Sequence, residues 1–184
     1  MIGQVTKIML KKFKAFFPKP PFKSGNYTKR PYIDNPNWFV REVANDDIKA
    51  LLAVERNVYH GELPWTKSAF LTELISPLPH LYLCVENETI LAFAGCRIIG
   101  NDAHITNIAV DPNFQGNGIG TFLMQELEHF AKKNNCLTMS LEVRLSNRDA
   151  QRLYRKLGYV SRAIKAAYYD QTNEDALDMV KYID

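Results

Sequence analysis

Residues 137–143, LTMSLEV, alternate apolar and polar side chains without a break. A strand with that pattern sets Leu137, Met139, Leu141 and Val143 on one face and Thr138, Ser140 and Glu142 on the other. The period changes on either side of it. In TFLMQELEHFAKKNN the positions Leu123, Leu127 and Phe130 join Ile119 in one helical stripe. SNRDAQRLYRKLGY repeats the helical spacing with Ala150, Leu153, Tyr154 and Leu157 inward, Ser146 or Asn147 as cap and Gly158 as stop. Upstream, WFVREVA reads as a strand, IKALLAVERNVY as a helix capped within Asn45–Asp47, and PWTKSAFLTELI as a second helix capped by Thr66. LYLCVEN, ILAFAGCRII and AHITNIAV then form a meander, and two last strands fall around YVSRAI and ALDMVKYI. The order predicts a mixed α/β (α+β) domain: a central, twisted, mostly antiparallel sheet flanked by about four helices, without internal repeats.

The first 36 residues break this regularity. Drawn as a helix, IMLKKFKAFF puts Met9, Leu10, Phe13, Phe16 and Phe17 on one side and Lys7, Lys11 and Lys14 on the other, a surface-lying or docking pattern. PKPPFKSGNYTKRP, proline-rich and basic, cannot continue that helix and reads as a linker. Lys7, Lys11, Lys12, Lys14, Lys19, Lys23, Lys29 and Arg30 face Asp34 alone, so the overall +3 hides a basic arm on a mildly acidic body. Only the arm suits a ribosome or another anionic surface. The expected division is a basic extension over 1–36 and a globular domain over 37–184, within a length of 184 residues that allows one domain and an appendage.

Cys84, Cys96 and Cys136 are far apart, form no CxxC pair and follow no signal sequence, so neither a disulfide framework nor a zinc site is expected. A reduced, cytoplasmic setting fits. His60, His80, His104 and His129 are scattered and suggest no metal, and no apolar run approaches the roughly 18 residues that cross a bilayer.

Residues 108–120, IAVDPNFQGNGIG, end a strand in Asp-Pro and lead through Gly116, Gly118 and Gly120 into the long helix. The first N–H groups of a helix lack intrahelical partners and, with the helix dipole, attract anions wherever side chains leave the approach clear. A Walker loop would end in Gly-Lys-Ser/Thr, but Thr121 follows Gly120 directly. A dinucleotide fingerprint would read G-x-G-x-x-G after the first strand, whereas this spacing is G-x-G-x-G deep in the chain.

The loop, with its strand before and helix behind, resembles the signature Q/R-x-x-G-x-G/A of the GNAT superfamily of N-acetyltransferases, with Gln115, Gly118 and Gly120 at its named positions. LPWTKSAF, ITNIAVDPNFQGNGIG, LEVRLSNRDAQRLYRKLGY and AAYYDQTNEDALDM together are similar to the ribosomal-protein-alanine N-acetyltransferases of the RimI type. The resemblance covers about residues 38–184 and leaves the basic arm unexplained. It implies acetyl-CoA as donor, with its pyrophosphate on the N–H groups of Gln115, Gly116, Asn117, Gly118, Ile119 and Gly120, and its pantetheine arm along Ile108, Ala109 and Val110. It further implies Glu142 as general base, Tyr154 as general acid beside the coenzyme, Asn147 as a coenzyme contact, and Trp65 and Tyr169 in the acceptor groove. No metal is implied. The implied acceptor is a protein N-terminus beginning with alanine or another small residue, in a small-subunit ribosomal protein. A small-molecule amine or a lysine, or a non-catalytic CoA-binding module docked on RNA or the ribosome, are the alternatives.

The chemistry suits those residue types. At pH 7 roughly a tenth of an α-amine but only about one part in 2,500 of a lysine amine is uncharged and nucleophilic. A carboxylate can take the amine proton, weakly unless its surroundings help. An ordinary phenol lies about 1.5 pKa units above a thiol, so hydrogen bonding to the departing sulfur is role enough for Tyr154.

Overall fold

The computed structural model describes residues 27–183, apart from 60 and 62. The predicted amphipathic helix, the arm as far as residue 26, and His60 lie outside the described residues. Eight strands form one sheet among them: β1 Arg30–Tyr32, β2 Asn35–Glu42, β3 His80–Asn87, β4 Thr89–Ile99, β5 Asp102–Val110, β6 Thr138–Arg144, β7 Val160–Tyr169 and β8 Glu174–Tyr182. Their spatial order is 1-2-3-4-5-6-8-7. Every pairing is antiparallel except β5 with β6. Four α-helices accompany them: α1 Ile48–Val58, α2 Lys67–Leu74, α3 Ile119–Lys133 and α4 Arg148–Lys156.

The one parallel pair follows from the chain itself. Parallel neighbours need a crossover, and α3 supplies it between β5 and β6. Its stripe of Ile119, Leu123, Leu127 and Phe130 packs with Met139, Leu141 and Val143 in the larger core. Leu123 and Leu127 are fully buried, each contributing roughly 2 kcal/mol of apolar transfer. On the opposite face α1 and α2 place Ile48, Leu51, Val54 and Phe70 against Phe93, Cys84 and Tyr82 in a second core. The result is a sheet between two helical layers. Gly95 is obligatory there, because the Tyr82 ring crosses it so closely that a β-carbon would stand 2.2 Å from a ring carbon.

The pairing of β5 with β6 is short: Asp102–His104 oppose Thr138–Ser140, and the ladder ends there. Beyond it the strands part, and Ile105–Val110 on one side and Leu141–Arg144 on the other border the same cavity. Each strand stays paired on its other side, β5 with β4 and β6 with β8.

Two expectations need correction. The linker expected through residue 36 stops earlier: β1 pairs with β2, and Tyr32, 1% exposed, belongs to the main core. Its ring meets Trp38 and Phe122 at 5.7 and 5.0 Å. Lys29 and Arg30, counted with the free basic arm, pair with Glu86 and Glu126 at 2.7 Å each. Composition misled because the prolines and the basic residues outweighed one buried tyrosine. Leu137, expected on the inner face of its strand, is 61% exposed; it precedes β6, and its N–H donates to the Asn101 carbonyl instead of entering the ladder.

Candidate active site

The glycine corner is a built turn rather than slack chain. Asp111 accepts from the Asn113 N–H to start a short 3-10 turn, the Gln115 side-chain amide donates to the Val110 carbonyl at 3.0 Å, and the Asn117 amide donates to the Phe114 carbonyl at 3.0 Å. Gly116 and Gly118 take φ of +80° and +76°, conformations that cost L-residues free energy. Gly118 is the N-cap of α3 and carries no side chain to satisfy the first N–H groups, which are left for an acceptor from outside. From below, the Tyr32 hydroxyl donates to the Asn117 carbonyl at 3.1 Å.

A cavity of about 600 Å³ opens between this corner and the parted strands. Ile108, Ala109 and Val110 of β5, Gln115, Gly116, Gly118, Ile119 and Gly120 of the corner, and Glu142, Asn147 and Tyr154 all line it. Trp65 and Tyr169 line it as well. Of the residues singled out in the sequence, Asn117 alone does not line it; its side chain braces the turn from behind.

Glu142 lies on β6 with its side chain 9% exposed. Lys165 of β7 donates to its Oε1 at 2.5 Å, and the His104 Nε2 of β5 stands 3.3 Å from its Oε2. Lys165 also reaches Asp178 at 3.7 Å, and Glu142 in turn raises the Lys165 amine above its ordinary range. Tyr154 sits on the inner stripe of α4, 6% exposed; burial first, then the neighbouring Tyr59 and Tyr169, push its phenol well up. It therefore stays protonated throughout the physiological range. Asn147 accepts from the Ala150 N–H as cap of α4, so the capping role expected of it coexists with a place on the cavity wall.

Several residues went unnoticed in the sequence. Glu55 of α1 is wholly buried, accepting from the Asn107 side-chain amide at 2.8 Å and from the Trp65 N–H at 3.4 Å. Burial raises its carboxyl, and those two donors oppose the shift. It ties the segment carrying Trp65 to β5, while Trp65 packs on Phe70 at 5.1 Å. Tyr59 and Arg144 also line the cavity, the Arg144 guanidinium lying 4.4 Å from the Tyr169 ring centre. A charged Glu at an inward helical position was the one signal for Glu55; Arg144 was hidden in the LEVR block behind its neighbour. Among the described residues no cluster of three His, Cys, Asp or Glu side chains could hold a metal.

An anion-ready corner, an extended strand along the cavity, and a carboxylate and a protonated phenol lining the same cavity are what acyl transfer to an amine requires. The family model described as the acetyltransferase (GNAT) family matches residues 37–159. The chain belongs to that family. A Bacillus subtilis protein provisionally named for alanine N-acetylation of ribosomal protein bS18 is 38% identical over 142 residues, 76% of this chain and 92% of that protein. The crystal structure of the ribosomal-protein-S18-alanine N-acetyltransferase from Escherichia coli matches at 30% identity with a TM-score of 0.70, over 79% of this chain and 94% of that one. The fold also matches the PaiA N-acetyltransferase of Thermoplasma acidophilum in complex with coenzyme A, at 22% identity and a TM-score of 0.68, over 79% and 99% of the two chains. GNAT enzymes are acyltransferases that take their acyl group from acetyl-CoA, and the mixed α/β fold expected from the element order is theirs.

Proposed function

We propose that this chain transfers the acetyl group of acetyl-CoA to the N-terminal α-amine of a protein beginning with alanine or another small residue, a small-subunit ribosomal protein being the acceptor. The observation that carries this reading is the single cavity onto which the glycine corner, Glu142 and Tyr154 all open. The N–H groups from Gln115 to Gly120 receive the coenzyme diphosphate, and Ile108–Val110 pair with the pantetheine amides, leading the thioester to the gap between β5 and β6. Asn147 contributes at the coenzyme side. The acceptor enters past Trp65 and Tyr169, which line the same cavity.

Glu142 removes a proton from the entering ammonium, and the amine nitrogen forms its bond to the thioester carbonyl carbon. As the tetrahedral adduct collapses, the carbon–sulfur bond breaks, the nitrogen's second proton passes through water to the departing sulfur, and Tyr154 donates a hydrogen bond to that sulfur. Because burial strengthens the hold of Tyr154 on its proton, full transfer to a thiolate is further uphill than for an exposed phenol, and the hydrogen bond is its contribution. Names of the relatives support the ribosomal acceptor, and a cytoplasmic reaction accords with it; the charge of the lysines before residue 27 suits contact with the ribosome.

Mass spectrometry of peptide products decides the acceptor. With acetyl-CoA, peptides starting with Ala should gain one acetyl group on the α-amine, and the E142Q variant should lose about a hundredfold in kcat with unchanged acetyl-CoA affinity. Acetylation of polyamines or lysine side chains alone would move the acceptor class, and CoA binding without any transfer would leave a binding module.

A further inference from the structure

Behind Glu142 a row of polar side chains runs along the sheet face that α3 does not cover: Asp102 and His104 on β5, Thr138, Ser140 and Glu142 on β6. Their hydrogens can be assigned one by one. The Thr138 hydroxyl donates to Asp102 Oδ1 at 2.6 Å and the Ser140 hydroxyl to Asp102 Oδ2 at 2.5 Å. Ser140 has then spent its only hydrogen and offers just lone pairs. The His104 Nδ1, 3.0 Å from the Ser140 oxygen, must therefore be the donor. In a neutral imidazole that leaves Nε2 bare, and Nε2 is the atom facing Glu142 Oε2 at 3.3 Å. The other carboxylate oxygen is taken by Lys165, which can donate but not accept.

We infer that His104 is the proton acceptor behind Glu142, held in its Nδ1–H tautomer by the Ser140–Asp102 pair. The inference rests on Glu142 being the base of the proposed acetyl transfer. A proton leaves the substrate amine for Glu142 Oε2, and moves from Oε2 to His104 Nε2. The carboxylate is restored, with Lys165 still bound, and the imidazolium releases its Nε2 proton to water, the His104 side chain being 20% exposed. In water an imidazole is a better proton acceptor than a carboxylate by about two pKa units, so the second transfer removes much of the penalty of using a carboxylate as base. His104 touches neither acceptor nor coenzyme in this scheme; it is a positioning and relay residue.

The charged groups around it are arranged for this. Asp102 on β5 reaches the ring through Ser140, Glu142 on β6 faces its Nε2, and Asp178 on β8 shares Lys165 of β7 with Glu142. Tyr168 on β7 packs on Lys165 at 5.5 Å. Arg97, the register partner of His104 on β4, is engaged by Glu73 of α2 at 2.8 Å.

Three variants of the full chain test it, each first checked by calorimetry for the parent's CoA affinity. H104Q should lose tenfold to a hundredfold in kcat with KM for acetyl-CoA unchanged, and added imidazole should restore part of the loss. S140A keeps the His104–Glu142 contact while freeing the tautomer, and should lose several-fold. Nitrogen-15 NMR should find the His104 ring as Nδ1–H in the parent and as a tautomer mixture in S140A. An H104Q enzyme equal to an active parent at every pH, or impaired in a way that imidazole leaves untouched, overturns the relay alone; an Nε2–H tautomer in the parent does so even if H104Q does not fold. Absence of acetyl transfer by the parent overturns the functional reading with it, and E142Q as active as its parent removes the base on which both stand.

Discussion

Glu55 shows how a buried charge can serve a site that it does not line. Its carboxylate joins the Asn107 amide on β5 to the Trp65 N–H in the segment before α2, so one side chain fixes the acceptor-side wall to the sheet. The raised carboxyl gives that arrangement a pH signature. An acid whose folded pKa exceeds its unfolded value binds more protons when folded, so its stabilising contribution is complete below the ordinary carboxylate range and fades as pH rises through the raised value. Glu55→Gln, neutral throughout, should flatten the fall in Tm as pH rises above the ordinary carboxylate range. Scanning calorimetry at a series of pH values checks this; parallel curves for the two proteins would remove Glu55 as the source. At this scale the sequence was legible where a motif isolates a residue, as with Glu142, Tyr154 and the glycines. Glu55, His104 and Lys165 acquire their roles from partners up to 52, 38 and 23 positions away in other elements, and periodicity cannot report such partners.

The helices announced themselves by local chemistry. Thr66 accepts from the Ala69 N–H and Asn147 from the Ala150 N–H, as the cap patterns required, because capping joins residues only three apart. The support under the glycine corner is a different matter. β1 has three residues, and its contact with the loop spans 85 positions from Tyr32 to Asn117. At Gly118 the constraint is the backbone: φ is +76°, while a β-carbon would meet the Tyr32 hydroxyl at an ordinary contact distance of 3.5 Å. Gly118→Ala should cost about 1 kcal/mol in backbone strain and weaken CoA binding markedly, since the open N–H groups would turn with the cap. Tyr32→Phe keeps the ring contacts with Trp38 and Phe122 but removes the bond to the Asn117 carbonyl, so it should weaken CoA binding only several-fold. Calorimetric titration of CoA into both variants separates the two effects, and equal affinities for Tyr32→Phe and the parent would show that the glycine corner holds its own shape.

For the whole molecule, element order and fold class could be read from the chain, because alternation and helical stripes are local and α3 must cross between parallel strands. The parting of β5 from β6, which creates the cavity, could not: strand pairing stops at His104 and Ser140 for reasons of twist and packing that the sequence of neither strand displays. Nor could the point at which the fold begins. The family match starts at residue 37, yet Tyr32 is in the core, Arg30 pairs with Glu126 of α3, and the Tyr27 hydroxyl also donates to Glu126. The ten residues from 27 to 36 thus tie the outer edge of the sheet to the crossover helix that carries the glycine corner. A chain beginning at residue 27 keeps each of these contacts and should retain the parent's Tm and CoA affinity. One beginning at residue 37 loses a fully buried aromatic side chain, a loss that costs about 3–5 kcal/mol when such a residue is truncated to alanine, and it exposes Trp38 and Phe122 as well. That amount is a large share of a domain's total stability, so thermal unfolding should drop by well over ten degrees, with CoA affinity falling because the underside of Asn117 is left bare. If the shorter chain melts with the longer one, the strand before Asn35 is an ornament on the sheet and the corner draws its rigidity from its own turn hydrogen bonds.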